Sequence, residues 1–167
     1  MTKGLDKIII HWTAGAPIPN AVDKEHYHFI VDQEGKVHAG NYKPEDNINC
    51  KDGKYARHTG GGNTGAIGVS LCGMKDFKGK DRQGPFPITR KQFEAAMKLI
   101  SELASKYEIK IDPEHVLTHY EFGELHRDTT SHGKIDITFI PPYPWIAAKD
   151  CGPFIRSKIR WYQANTD

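Results

Sequence analysis

Residues 7–13 read KIIIHWT, and residues 66–72 read AIGVSLC. Each is a short, continuous apolar run bounded by turn-forming residues, which is typical of a strand buried on both faces of a sheet. The first run ends at Ala14-Gly15-Ala16-Pro17, and a polar segment with several glycines and prolines follows the second. These two runs predict a sheet at the centre of the molecule.

The rest of the sheet is predicted from shorter signals. Residues 27–32 and 36–39 flank Gln33-Glu34-Gly35, which is a β-hairpin pattern. Residues 116–120, VLTHY, form one more short apolar run. Residues 41–65 are polar and rich in turn formers, which predicts a long loop near a functional surface.

Two helices are predicted on the faces of this sheet. Thr89 and Gln92 form a capping-box pattern, and apolar residues then recur every three or four positions. This spacing predicts a helix from about 90 to 107. Pro153 begins a last helix, over about 153–163, and Arg156, Lys158 and Arg160 with Trp161 predict that its exposed side is basic.

The order of elements predicts the fold class. Strand, hairpin, strand, helix, strand and helix indicate an α/β domain with a mixed central β-sheet flanked by helices. No linker or repeat divides the 167 residues. We therefore expect a single domain over 1–167, with a core over about 5–140.

Composition excludes several classes of protein. The chain has 23 Lys and Arg against 21 Asp and Glu, a net charge of +2, so we expect no nucleic-acid partner. The longest nearly apolar stretch, 137–148, contains three prolines, so we expect no membrane insertion. The three cysteines follow no pairing pattern, so we expect no disulfide. The N-terminus lacks the apolar region of a signal peptide, and we expect synthesis in the cytoplasm.

Two histidines and one carboxylate follow the predicted strands. His11 closes the first strand, His119 closes VLTH, and Lys134 and Asp136 lie in GKID, 15 and 17 residues after His119. Two histidines with one carboxylate can bind a catalytic zinc ion and leave a position open for water. A histidine at a strand end is also a common structural residue, so spacing alone leaves both interpretations open.

Four motifs in this order carry a resemblance: IIIHWTAG, YHFIVDQEGKVHAG, HTGGGNTGAIGVSLCG, and LTH followed by GKID. Together they resemble the zinc-dependent N-acetylmuramoyl-L-alanine amidases of the type 2 family, which includes phage lysozymes and peptidoglycan recognition proteins. The resemblance covers roughly residues 5–140. It implies a peptidoglycan hydrolase that cleaves the amide between N-acetylmuramic acid and L-alanine.

The resemblance also implies roles for individual residues. His11, His119 and Asp136 match the ligands of one zinc ion per chain, and Lys134 and Tyr27 match catalytic residues. The residues expected to contact the substrate are His58, Trp12 and Asn63.

The chain departs from the family pattern between His119 and Lys134. The intervening segment, 121–133, is longer than in many members, and it contains His126, Asp128 and His132, which compete with Asp136 for the third ligand position. Asp136 is favoured because it keeps the K-x-D spacing to Lys134. The segment resembles that of one phage-type branch.

We therefore expect a monomeric phage-type endolysin that reaches the cell wall through a separate pore. Three alternatives remain: a cytosolic amidase that recycles muropeptides, a module that binds peptidoglycan without cutting it, and a zinc peptidase acting within the stem peptide.

Overall fold

The computed structural model describes residues 4–165. Five strands form one sheet: β1 (Lys7–Trp12), β2 (Phe29–Val31), β3 (Val37–Ala39), β4 (Ala66–Leu71) and β5 (Val116–Thr118). Their order across the sheet is β3-β2-β4-β1-β5. All neighbours are parallel except β2 and β3, which form the predicted antiparallel hairpin. The expected mixed sheet is confirmed.

Four helices surround this sheet: α1 (Ala21–His26), α2 (Arg90–Lys106), α3 (His119–Leu125) and α4 (Cys151–Ala164). The predicted capping box of α2 is present, since Thr89 accepts a hydrogen bond from the Gln92 backbone and Gln92 bonds back to the Thr89 backbone. A 3-10 helix, Pro44–Ile48, lies within the predicted long loop. No helix within residues 4–165 has both the length and the apolar composition needed to cross a membrane.

The main hydrophobic core lies on one face of the sheet. Ile8 and Ile10 of β1 and Val69 of β4 pack there with α2 and α4, and all three are fully buried. Ile9 points to the opposite face, where a smaller cluster forms with Leu117 and with Phe122 of α3. Since side chains alternate along a strand, His11 also points to this second face, away from the main core.

Two expectations about helices are corrected. The run 116–120 is not strand throughout, because the strand ends at Thr118 and α3 begins at His119. Thr118 and Glu121 form a capping box there, a helix-start signal within the run read as a strand. The last helix is also less basic outside than expected, because Arg156 is buried and forms a bidentate ion pair with Glu121.

Candidate metal centre

Parallel strands β1 and β5 bring His11 and His119 together. The two strands are neighbours, with Ile10 opposite Thr118, so the next residue of each chain segment lies at the same edge of the sheet. Asp136 approaches from the far end of the long segment, and its carbonyl accepts a hydrogen bond of 2.6 Å from the Tyr120 backbone. The start of α3 thereby positions both His119 and Asp136.

Three potential ligand atoms converge at this edge. His11 Nδ1 lies 3.1 Å from His119 Nδ1 and 3.1 Å from Asp136 Oδ2. His119 Nδ1 lies 3.3 Å from Asp136 Oδ1. Ligands of a tetrahedral zinc ion, at bond lengths of about 2.0–2.1 Å, lie about 3.3 Å from one another. The spacing of the three donors therefore fits a zinc ion.

The partners of His11 Nε2 determine which of the two ring nitrogens carries the proton. His58 Nε2 lies 3.0 Å from the Ala66 carbonyl oxygen, which only accepts, so His58 carries its proton there. Burial lowers the pKa of His58 well below its usual value, so its Nδ1 is an acceptor. The Thr59 hydroxyl donates to this Nδ1 at 2.7 Å. His11 Nε2 lies 3.3 Å from the Thr59 oxygen and 3.2 Å from His58 Nδ1, so it carries a proton and donates to these acceptors. The Nδ1 lone pair of His11 is left facing the cluster.

His119 has the same arrangement with different partners. The Ser131 hydroxyl donates to the Gly60 carbonyl at 2.7 Å, and its oxygen lies 3.0 Å from His119 Nε2. His119 Nε2 therefore carries the proton and donates to Ser131, which leaves its Nδ1 lone pair facing the cluster. Metal-binding histidines are commonly oriented in this way by an acceptor on the second ring nitrogen.

The electrostatics of the cluster favour a cation. Burial lowers the pKa of His11 to about 4, so its imidazole is neutral near pH 7. Asp136 is also buried, and its carboxylate lies 3.1 Å from His11 Nδ1 and 3.3 Å from His119 Nδ1. Two nitrogen lone pairs and a carboxylate thus face one another at about 3 Å. A divalent cation removes that repulsion.

His119 and Asp136 of the cluster line a cavity of about 650 Å³. Tyr27 and Lys134, the two expected catalytic residues, both line it. The Tyr27 ring lies 5.2 Å from the His11 ring, and burial, followed by the charge of Asp136, raises the pKa of its phenol well above the usual value. Tyr27 is therefore a neutral hydrogen-bond donor, whereas the exposed Lys134 places an ammonium at the cavity.

The three residues expected to contact the substrate are placed differently. Trp12 lines the cavity although it is largely buried, with its ring against Phe77. His58 is also in the lining, but both of its ring nitrogens are engaged with protein atoms. Asn63 lines a different pocket, and its side-chain oxygen accepts hydrogen bonds from the His58 and Thr59 backbones. The structure thus gives Asn63 a role in shaping the loop.

The competing ligands of the long segment lie elsewhere. The His126 ring packs on Phe122 with a centroid distance of 4.3 Å, and His132 lies 3.5 Å from Glu124. Asp128 is exposed. Among residues 4–165, the only group of three or more His, Cys, Asp or Glu side chains arranged to hold a metal is His11, His119 and Asp136.

Sequence reasoning missed the partners of the histidines. Ser131 carries no motif, and its place beside His119 depends on the path of the segment after α3. Glycines 60–62 are covered by α3 and the segment after it: a Cβ on Gly60 would overlap Thr130, and one on Gly62 would overlap Phe122. A Cβ on Gly68 would likewise overlap the His58 ring.

The chain resembles known proteins both in its sequence family and in its fold. A family model described as N-acetylmuramoyl-L-alanine amidase matches residues 2–136. No curated protein sequence matches the chain. Among solved structures, PlyL is similar with a TM-score of 0.53 and 22% identity, over 95% of this chain and 85% of that chain.

Two further similar structures contain peptidoglycan fragments. The amidase AmiD from E. coli, in complex with anhydro-N-acetylmuramic acid-L-Ala-D-gamma-Glu-L-Lys, gives a TM-score of 0.55 at 17% identity, over 92% of this chain and 57% of that chain. The ectodomain complex of the peptidoglycan recognition proteins LCa and LCx with tracheal cytotoxin gives 0.50 at 16% identity, over 85% and 82%. At these identities the likeness shows a shared fold.

Proposed function

Because the chain belongs to the N-acetylmuramoyl-L-alanine amidase family, we propose that it is a zinc-dependent hydrolase of peptidoglycan. The bond cleaved is the amide between the lactyl group of N-acetylmuramic acid and the L-alanine of the stem peptide. The observation that carries the zinc assignment is the convergence of His11 Nδ1, His119 Nδ1 and the two Asp136 carboxylate oxygens, with contacts of 3.1–3.3 Å.

The three donors would hold the metal, and nearby side chains would act on the substrate. A zinc ion with an open position supplies Lewis-acid polarisation of a carbonyl and makes water more acidic. The Lys134 ammonium is the group suited to stabilise the negative charge that develops on the amide oxygen. Tyr27 lines the same cavity and its phenol is neutral, so it would donate a hydrogen bond to that oxygen or to the attacking water.

The zinc assignment is tested by metal content. We expect one zinc per chain in the wild type, and we expect Asp136→Ala to lose both zinc and hydrolysis. Asp128→Ala is the matched control, since it removes an exposed carboxylate from the same chain segment. A variant lacking Asp136 that retains one zinc per chain, or a loss of zinc in the Asp128 variant, would show that the third ligand is misassigned.

Lys134 is tested separately from the metal. Lys134→Ala should keep its zinc and its fold and lose about a hundredfold in kcat/KM, because removal of one donor to a developing oxyanion typically costs about 10²–10³ in rate. Lys98→Ala, which removes an exposed lysine on α2, should keep full activity. Unchanged turnover of the Lys134 variant would show that this lysine has no role in catalysis.

The biological role proposed is that of a phage-type endolysin, made in the cytoplasm and released to the wall through a separate pore. The length of the 121–133 segment supports this, because it resembles the phage-type branch. Rates on isolated cell walls and on soluble anhydro-muropeptides distinguish the roles. An endolysin should digest the walls readily, whereas a marked preference for the soluble fragments would favour a recycling amidase.

A further inference from the structure

A second pocket lies beside the metal cavity. It has a volume of about 420 Å³, within the range of about 300–1,000 Å³ found for small-ligand sites. Phe77 lines both spaces. Residues 133–136 line the metal cavity and residues 138–139 line the second pocket, so one chain segment borders both. The two spaces therefore adjoin, and we refer to them together as the groove.

The far end of this groove is aromatic. Trp145 is 73% exposed, the largest value among the exposed large hydrophobic side chains of residues 4–165. Phe77 and Phe139 stack beside it in the pocket lining, with centroids 5.8 Å apart. An exposed apolar surface of this kind, in a concave site, is commonly a place where a ligand binds.

The base of Trp145 is firmly held. The preceding segment is Pro141-Pro142-Tyr143-Pro144, and the prolines restrict its backbone. Tyr143 is buried, and its hydroxyl donates to Glu94 at 2.7 Å and accepts from Arg90 at 3.1 Å. The Trp145 ring stands edge-on to the Tyr143 ring at 5.8 Å. The indole is thus presented to solvent by an anchored segment, which reduces the entropy lost when a ligand stacks on it.

The two spaces differ in polarity. Five charged residues line the metal cavity: Arg57, Asp76, Lys78, Lys134 and Asp136. The second pocket is lined mainly by apolar and aromatic residues, and Lys80 is the one charged residue in its lining. A stem peptide carries charged and polar groups, so it suits the metal cavity. A sugar ring is uncharged, and its axial C–H groups form an apolar face that packs on an indole, so it suits the aromatic pocket.

We propose that the pocket formed by Phe77, Phe139 and Trp145 is a glycan subsite that binds a sugar of the same strand, next to the muramic acid whose peptide is removed. The inference rests on the proposed function, and it makes the polymeric strand the preferred substrate. Trp145 lies beyond residue 136, where the family match ends, so this subsite is a feature of the chain's own C-terminal part.

The test compares the wild type with Trp145→Ala on two substrates. One is a peptidoglycan strand of several disaccharides, and the other is a muramoyl-tripeptide with a single sugar. For Trp145→Ala, kcat/KM on the strand should fall about three- to tenfold, the loss expected for one aromatic stacking contact. The rate on the single-sugar fragment should not change. Trp161→Ala is the matched control, since Trp161 is 53% exposed on α4.

A binding measurement separates this proposal from the proposed function. Peptide-free glycan strands should bind the metal-depleted wild type and the Trp161 variant, and should bind Trp145→Ala more weakly by a similar factor. No amide is present in that experiment, so it tests the subsite even if the wild type cleaves neither substrate. Equal binding by all three proteins, or an equal loss of rate on both substrates, would overturn the subsite.

Discussion

Each of the two clustered histidines uses its two ring nitrogens for different purposes. Nδ1 faces the cluster, and Nε2 donates to Thr59 and His58 in one case and to Ser131 in the other. The types and order of the three donors could be predicted from the sequence, because they match a family pattern. Their outer partners could not, because those contacts join positions far apart in the chain.

Ser131 provides the first residue-scale prediction. Ser131→Ala should leave zinc bound but weaken its affinity about 10–100-fold, because the His119 ring loses the acceptor that fixes its orientation. Competition with a chelator of known affinity measures this change. Ser157→Ala, which removes a serine hydroxyl on α4, should bind zinc as the wild type does. Identical affinities for all three proteins would show that Ser131 does not position the ligand.

His28 gives a second prediction, on stability and pH. Its Nδ1 accepts from the Gly68 backbone at 2.9 Å and its Nε2 donates to Asn47 at 2.9 Å, so the fold requires the neutral ring. Burial lowers the pKa of His28 to about 4, against 6.5 as the usual value. Between pH 6.5 and 4 the His28 ring binds more protons in the unfolded chain than in the folded chain. The stabilisation from the neutral ring is therefore fully present above pH 6.5 and is lost as the pH falls toward 4.

Urea unfolding of the metal-depleted wild type and of His28→Gln measures that effect. At pH 7 the variant should be less stable by about 1–3 kcal/mol, since a buried backbone N–H loses its acceptor. The stability of the wild type relative to the variant should fall by about 2–3 kcal/mol as the pH drops from 7 to 4, so the difference should vanish or change sign. A difference that stays constant over this range would contradict the assignment of the neutral ring.

At the scale of elements, a buried ion pair connects α4 to α3, the helix that begins at the proposed metal ligand His119. Arg156 Nη1 and Nη2 each lie 2.9 Å from a Glu121 oxygen, and Nη1 also donates to the Val116 carbonyl at 3.1 Å. Glu121 in turn accepts from the Thr118 backbone, which caps the helix that begins at His119. Arg156 of α4 thus contacts Glu121, and Glu121 contacts the residue before His119, the proposed metal ligand.

Arg156→Met should therefore lower the free energy of unfolding by about 3–5 kcal/mol, the loss typical when one partner of a buried pair is removed. The exposed pair of Arg127 and Glu124, with an N–O distance of 2.8 Å, offers the control. Arg127→Met should change stability by no more than about 1 kcal/mol. Chemical denaturation of both variants checks this, and equal losses would contradict the structural role given to Arg156.

The regular elements differed in how well the sequence predicted them. Helix α2 has many apolar residues at helical spacing, and β1 and β4 are continuous apolar runs. Their positions could therefore be predicted to within one or two residues. The short helices α1 and α3 could not, because six or seven residues give too little periodicity. The burial of Arg156 also escaped prediction, since its partner lies 35 positions away.

At the scale of the whole molecule, the site lies at one edge of the sheet. Helices α2 and α4 cover one face with the main core, and His11 and the start of α3 lie on the other face. The metal cavity is bordered from both sides, since Trp12 and Met74 of the main core line it together with His119. The α/β class and the single mixed sheet could be predicted from the order of elements. The continuation of the groove to Trp145 could not, because it depends on how residues 137–148 fold back beside Phe77.

Product analysis is the most direct test of whether the protein is a metal-assisted amidase of peptidoglycan. Purified cell walls should be digested with the zinc-loaded protein, and new amino termini and new reducing sugar ends should then be counted. We expect new α-amino groups on L-alanine and no new reducing ends. New reducing ends would indicate a glycosidase, and new amino termini on other stem residues a peptidase, and either result would contradict this expectation.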